Sequence, residues 1–124
     1  MTKFTFYDDV WEVFSAESYL IEGELNKQWF IDNGYCRRNY AWIKRPVEVQ
    51  LGPAVTAVGE QAFRNCPLSA VIVPSSVSSI GISAFADTSS LSSALFLGKT
   101  AAEVKEMQCY PWGITNTSVI SAEL

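Results

Sequence analysis

Apolar and polar positions along the chain follow a pattern that returns every 22 residues. Place residues 47–63, "VEVQLGPAVTAVGEQAF", over residues 70–85, "AVIVPSSVSSIGISAF". Val49 and Leu51 fall on Val71 and Val73. Val55, Val58, Gly59, Ala62 and Phe63 fall on Val77, Ile80, Gly81, Ala84 and Phe85. A third, degenerate copy, "LSSALFLGKT" at 91–100, matches "LSAVIVPSS" at 68–76 with one extra residue. Each copy predicts one small unit. Val71 and Val73 alternate as a half-buried strand does. Pro74 ends that strand because proline cannot donate a ladder hydrogen bond. Val77 and Ile80 predict a second short extended stretch. Gly81 is expected to take a left-handed turn conformation. Residues 82–86 then make a tight turn or short helix that drops Phe85 into the core, as Phe63 does one layer earlier. The serine-rich run at 74–93 is not a linker, because Val77, Ile80, Ile82, Phe85 and Leu91 interrupt it at repeat spacing.

Outside the repeats the pattern changes. Ile21, Leu25 and Trp29 lie at i, i+4 and i+8, with Tyr19 and Phe30 beside the stripe. This predicts an amphipathic helix over 18–32, ended by Asn33-Gly34. Gly23 weakens that helix, and a hairpin pairing "ESYLIEG" with "QWFIDNGY" is the rival, since β-branched and aromatic residues are frequent here. Residues 3–14 read as a leading strand or a strand running into a helix start. At the other end, "LFLGKTAAEVKEMQCYPWGI" reads as a last strand at 95–97, a turn at Gly98 and a helix. Thr100 and Glu103 have the spacing of a capping box. Ala101, Val104 and Met107 or Gln108 form the helical stripe, and Pro111 stops it.

With 124 residues the chain fits one domain: an N-terminal cap region 1–46, a repeat region 47–98, and a C-terminal helix and tail 99–124. Residues 1–46 hold 13 of the 22 charged side chains, so the repeats are nearly uncharged. The net charge of −4 disfavours a general affinity for nucleic acid or anionic membrane. No apolar window is long enough to span a bilayer. The first residues lack the apolar run of a signal peptide, and a cytoplasmic location is expected, in a host cell or a particle assembled there.

The chain has no histidine, which removes Ser-His-Asp, Cys-His and His-zinc chemistry. Cys36, Cys66 and Cys109 are an odd, widely spaced set, expected to be reduced and mostly buried. Gly98-Lys99-Thr100 has the last letters of a phosphate-binding loop. The first glycine is missing, because Ser93 stands five positions earlier in a predicted strand. Asp8, Asp9 and Glu12, like Glu22 and Glu24, show no convergent spacing and read as solvated. No catalytic residue, cofactor or metal is assigned.

Two segments are candidate contact surfaces. "YCRRNYAWIKR" at 35–45 interleaves Arg37 and Arg38 with Tyr40 and Trp42, the arrangement that grips phosphates while stacking on bases. Tyr110 and Trp112 flank Pro111. Sixteen aromatic residues exceed what one small core is expected to hold. These rings are expected either to form a protein-binding patch or to cap the two ends of the repeat stack, with the charges of 35–45 then merely solvated.

Residues 47–98 resemble the BspA-like class of leucine-rich repeats, whose pattern is I-P-x-x-V-x-x-I-G-x-x-A-F-x-x-C. The residues that carry it are Val77, Ile80, Gly81, Ala84 and Phe85, their counterparts from Val55 to Phe63, and Cys66. "GKTAAEVKEMQCYPWGI" is similar to closing segments of such arrays in bacterial and phage proteins. The resemblance implies a β-rich α+β fold, a short solenoid of about two and a half repeats with an N-terminal mixed α/β cap and a C-terminal helix cap. It further implies a non-catalytic protein–protein interaction module whose concave strand face or aromatic ends bind another protein. A phage-encoded structural protein, or an inhibitor of a bacterial defence protein in the manner of anti-CRISPRs, is the expected role. Nucleic-acid binding through 35–45 is the alternative.

Overall fold

The structure is a computed structural model that describes residues 1–8 and 13–124. Among the described residues nine strands form two sheets. The larger has the order β2-β1-β4-β6-β8-β9: Val13–Tyr19, Thr2–Asp8, Pro46–Gln50, Ala70–Val73, Ser93–Leu97 and Ile120–Glu123. The smaller has the order β3-β5-β7: Gly23–Leu25, Val55–Val58 and Ser79–Ile80. β1 runs antiparallel to both its neighbours, while β4, β6, β8 and β9 run parallel, as do all three strands of the smaller sheet.

The 22-residue offset is the sheet register. Val49 pairs with Val71, Val71 with Ala94, and Ala94 with Ile120. Val73 pairs with Phe96, and Phe96 with Ala122. These columns point inward, and Val49, Val71, Val73, Ala94 and Phe96 are buried, whereas Ile72 and Leu95 between them are half-exposed. Val55, Val58, Val77 and Ile80 close the core from the smaller sheet. The turns stack as well: Gln61 N–H donates to Ile82 O (3.1 Å), Phe63 to Ala84 O (2.8 Å) and Asn65 to Ala86 O (2.9 Å). The Phe63 and Phe85 rings, both fully buried, lie parallel with centroids 5.5 Å apart, and Phe30 meets Phe63 edge-on at 5.2 Å.

Gly81 does not take the left-handed conformation expected of it. The positive φ angles fall instead at Gln61 (57°) and Asn65 (62°), and one repeat later at Ser83 (58°) and Asp87 (57°). The glycines serve close approach. A Cβ on Gly81 would lie 2.5 Å from Glu60 N, and one on Gly59 would lie 2.8 Å from Asn26 Cβ.

The predicted helix over 18–32 is three shorter elements. β2 runs through Tyr19, β3 begins at Gly23, and only α1, Lys27–Asp32, is helical. Gly23, at φ 77°, breaks the run. The parallel pairing of β3 with β5 then outweighs local periodicity, because it satisfies backbone groups that a helix would leave beside the smaller sheet. The rival hairpin is not formed either. Asn26 caps α1, its Oδ1 accepting from Trp29 N–H at 3.0 Å.

At the C-terminal side the capping box is present. Glu103 N–H donates to Thr100 Oγ1 (3.1 Å), and Thr100 N–H donates to Glu103 Oε1 (3.0 Å). The latter bond holds the Glu103 carboxyl below the usual carboxylate range. α2 spans Ala101–Glu106 and ends well before Pro111, with Met107 already extended. β8 is not the last strand. The chain turns through a 3-10 segment, Thr117–Val119, and β9 adds a further rung beside β8.

Candidate functional site

The six proposed contact residues do not converge. Arg37, Arg38 and Tyr40 share the loop of Trp42, which packs on Phe30 at one end of the Phe30–Phe63–Phe85 ring column. Tyr110 and Trp112 lie at the other, where Phe85 N–H donates to Trp112 O at 2.9 Å. Both tryptophans are core residues, as the end-cap reading expects; the contact-surface reading of Trp42 and Trp112 is corrected. Trp42 is 7% exposed, lies 5.0 Å from Phe30, and donates its indole N–H to Arg64 O at 2.8 Å. Trp112 is 1% exposed, stacks on Phe96 at 5.3 Å, and donates to Gln108 O at 3.0 Å. Each indole buries its ring and satisfies its one donor, which removes the reason for a partner.

The surplus of rings has the same answer. Tyr7, Trp11 and Phe14 aside, whose side chains lie outside those described, no aromatic side chain is exposed. Phe4, Phe6, Tyr19, Trp29, Phe30 and Tyr35 form one aromatic cluster under the β1–β2 pair, and Phe96, Trp112 and Tyr110 form a second near α2. Both clusters belong to one continuous hydrophobic core.

A polar knot fastens the first cluster. On β2, Glu17 accepts from Tyr19 Oη (2.7 Å) and Tyr35 Oη (3.1 Å), and forms an ion pair with Lys44. The Lys44 hydrogen bond, then that of Tyr19, holds the Glu17 carboxyl below its ordinary value. Burial pushes the Tyr35 hydroxyl far up. A depressed carboxylate stabilises the fold above the unfolded value, about 4.3, and that contribution is lost as pH falls through the lower folded value. Glu17→Gln is therefore expected to cost up to about 1 kcal/mol at pH 7, since the pair is partly exposed. The difference from the parent should shrink as pH is lowered below about 4, read from urea midpoints at each pH.

The loop carrying Arg37 and Arg38 is tightly closed. Arg37 N–H donates to Ala41 O (2.9 Å), Tyr40 N–H donates to Arg37 O (3.1 Å), and Cys36 bridges Trp42. Tyr40 has φ 65°, a left-handed conformation uncommon for an aromatic residue. Its hydroxyl donates to Gln61, and its carbonyl accepts from Asn65 Nδ2 (3.1 Å). Its ring carries two cations, Lys27 Nζ 3.5 Å from the centroid and the Arg64 guanidinium at 4.7 Å. Lys27 also donates to Arg38 O, and Arg64 meets Asp87 at 3.5 Å. Arg37 and Arg38 are exposed. Lys27, Gln61, Arg64 and Asn65 were not singled out in the sequence. A signal was present: against the next repeat, Gln61, Arg64 and Asn65 stand where Ser83, Ala86 and Asp87 do, so the first repeat alone carries long polar side chains at its turn.

The other candidates hold no site. Gly98, at φ 75°, turns the chain, and its N–H donates to Glu123 O at 2.7 Å. Lys99-Thr100 open the six-residue α2, not a phosphate loop. Among the described residues no three His, Cys, Asp or Glu side chains gather as a metal site, and no helix is long and apolar enough to cross a membrane. Asp9 and Glu12 lie outside the described residues. Cys36 and Cys66 are buried thiols whose pKa burial raises, whereas Cys109 is exposed.

The model of the BspA-type leucine-rich repeat region, written for six copies, matches residues 40–119. This chain belongs to that family. No curated protein and no solved structure matches it. The matched span is wider than the 47–98 legible as repeats. It takes in Tyr40 and Trp42 before the first repeat and α2, Trp112 and the 3-10 turn after the third. In leucine-rich repeats a polar outer layer covers a stacked apolar interior, and such domains generally mediate protein–protein interaction.

Proposed function

We propose that this BspA-type repeat chain is a non-catalytic protein–protein interaction module, built as a short solenoid. The β1–β2 pair and α1 cover one end, and α2 with β9 covers the other. The observation that carries the reading is the family itself, expressed here as parallel rungs in register from β4 to β9. Such scaffolds present extended surfaces to macromolecules rather than enclosing small substrates. The finer role we assign is that of a phage-encoded protein acting in the host cytoplasm, as a particle component or as an inhibitor of a bacterial defence protein. Its support is the acidic composition and a closing repeat segment that resembles those of bacterial and phage proteins.

Nucleic-acid binding through 35–45 is the competing reading, and the exposed Arg37 and Arg38 favour it. Its stacking platform is not available, because Tyr35 and Trp42 are buried and the Tyr40 ring already holds two cations. The test is affinity capture with the tagged full chain from bacterial lysate treated with nuclease. A defined protein retained in stoichiometric amount is expected. Retention of nucleic acid alone from untreated lysate, with no protein, would overturn the reading.

A further inference from the structure

We propose that the Tyr40 loop is a docking surface for a short acidic segment of a partner protein, with carboxylates received by Lys27, Arg37, Arg38 and Arg64. The proposal rests on the interaction-module reading and says which face of the module is used and by what chemistry.

The argument is one of uncompensated charge. The chain has nine basic residues and a net charge of −4, yet four of the nine belong to one loop and the two side chains stacked on its tyrosine. Among the described residues the only ion pair made by these four is Arg64 with Asp87, and Asp87 is 66% exposed, so that pair is open to exchange. Two of the four cations are held in place, and Arg37 and Arg38 are exposed on the Tyr40 loop. Lys27 is tied to Arg38 O and seated on the ring, and Arg64 is seated on the same ring. Tyr40 is in turn fixed by Gln61 and Asn65. Lys27 and Arg64, held on one ring, repel each other, and an anion that reaches both relieves that repulsion. Guanidinium groups match carboxylates in a two-pronged geometry, and tyrosine with arginine beside it is the composition of an interface hot spot. A stretch of carboxylates fits better than a polynucleotide. The site offers charge without a free ring for a base, and the remaining surface is acidic, which would repel a longer polyanion.

Binding of three probes to the full chain tests this by fluorescence anisotropy: a labelled peptide of alternating glutamate and serine, the same peptide with glutamine for glutamate, and single-stranded oligothymidine. The acidic peptide is expected to bind, to weaken about tenfold or more between low and physiological salt, and to outbind both other probes. Arg37→Glu with Arg38→Glu should weaken it at least about tenfold, and Lys27→Gln, which keeps a donor for Arg38 O, several-fold. Lys105→Glu on α2, a similar charge change elsewhere, should leave it within about twofold. Thermal melts confirm that each variant folds. Equal loss with Lys105→Glu, tighter binding of oligothymidine, or no binding of the acidic peptide overturns the proposal. If a protein captured from lysate is still retained by the Arg37/Arg38 variant, this surface is wrong while the interaction module stands. If no protein is captured by the parent, the module reading itself fails.

Discussion

Phe85→Ala is expected to destabilise the protein by about 3–5 kcal/mol, the cost of removing a fully buried ring and leaving a cavity. Phe85 is the centre of a stack. It lies parallel to Phe63 at 5.5 Å, and its N–H holds Trp112 O, so it joins the second repeat to the C-terminal turn. Neighbouring rings are fixed by their own backbone ladder and cannot collapse into the space. For a domain whose total stability is about 5–15 kcal/mol, the loss takes a large share. The urea midpoint should fall with the slope unchanged. Ile82→Ala, three residues earlier and 56% exposed, is the matched control and should stay within about 0.5 kcal/mol. Equal effects at the two sites would mean that the ring column does not hold the repeats together.

Gly81→Ala is expected to cost about 1–3 kcal/mol or more, from steric overlap rather than a lost contact. The added methyl would sit 2.5 Å from Glu60 N and 2.7 Å from Glu60 Cα. Both are backbone atoms of the preceding rung, and Gly81 N–H is itself bonded to Val58 O at 2.8 Å, so neither chain can step aside. The φ of Gly81 is not positive, so backbone strain contributes nothing to the cost. A conformational role would predict rescue by asparagine, which tolerates left-handed backbone. The overlap predicts that Gly81→Asn is worse than Gly81→Ala, and thermal melts of the two variants separate the explanations.

The repeat was legible because its signal is redundant: seven apolar or glycine positions recur at one offset, and each is a core or stacking position in the structure. The meaning of Gly81 was misread because close approach and positive φ select the same residue. The N-terminal region was misread for a different reason. Ile21, Leu25 and Trp29 have helical spacing, but they serve a link, a strand and a helix in turn, and their shared face comes from tertiary packing. β9 left no trace because Ile120 and Ala122 are a faint alternation in a polar stretch. At the site, Arg37 and Arg38 were visible as a basic run. The clamp around Tyr40 was not, since Lys27 and Arg64 reach it from other elements.

The last rung is joined differently from the others. Val49 to Val71 spans 22 positions and Val71 to Ala94 spans 23, but Ala94 reaches Ile120 only after 26, a path that contains α2. The entropy of closing a loop rises only with the logarithm of its length, so the longer path costs roughly 0.1–0.2 kcal/mol more than a standard one. Register, by contrast, admits no such latitude: a slip of one residue would turn Ile120 and Ala122 outward. The architecture thus separates what is metrically strict from what is elastic. Strand pairing keeps the count, and the connection between β8 and β9 can lengthen almost free of entropic penalty, which makes it the part of the chain best able to accept inserted residues.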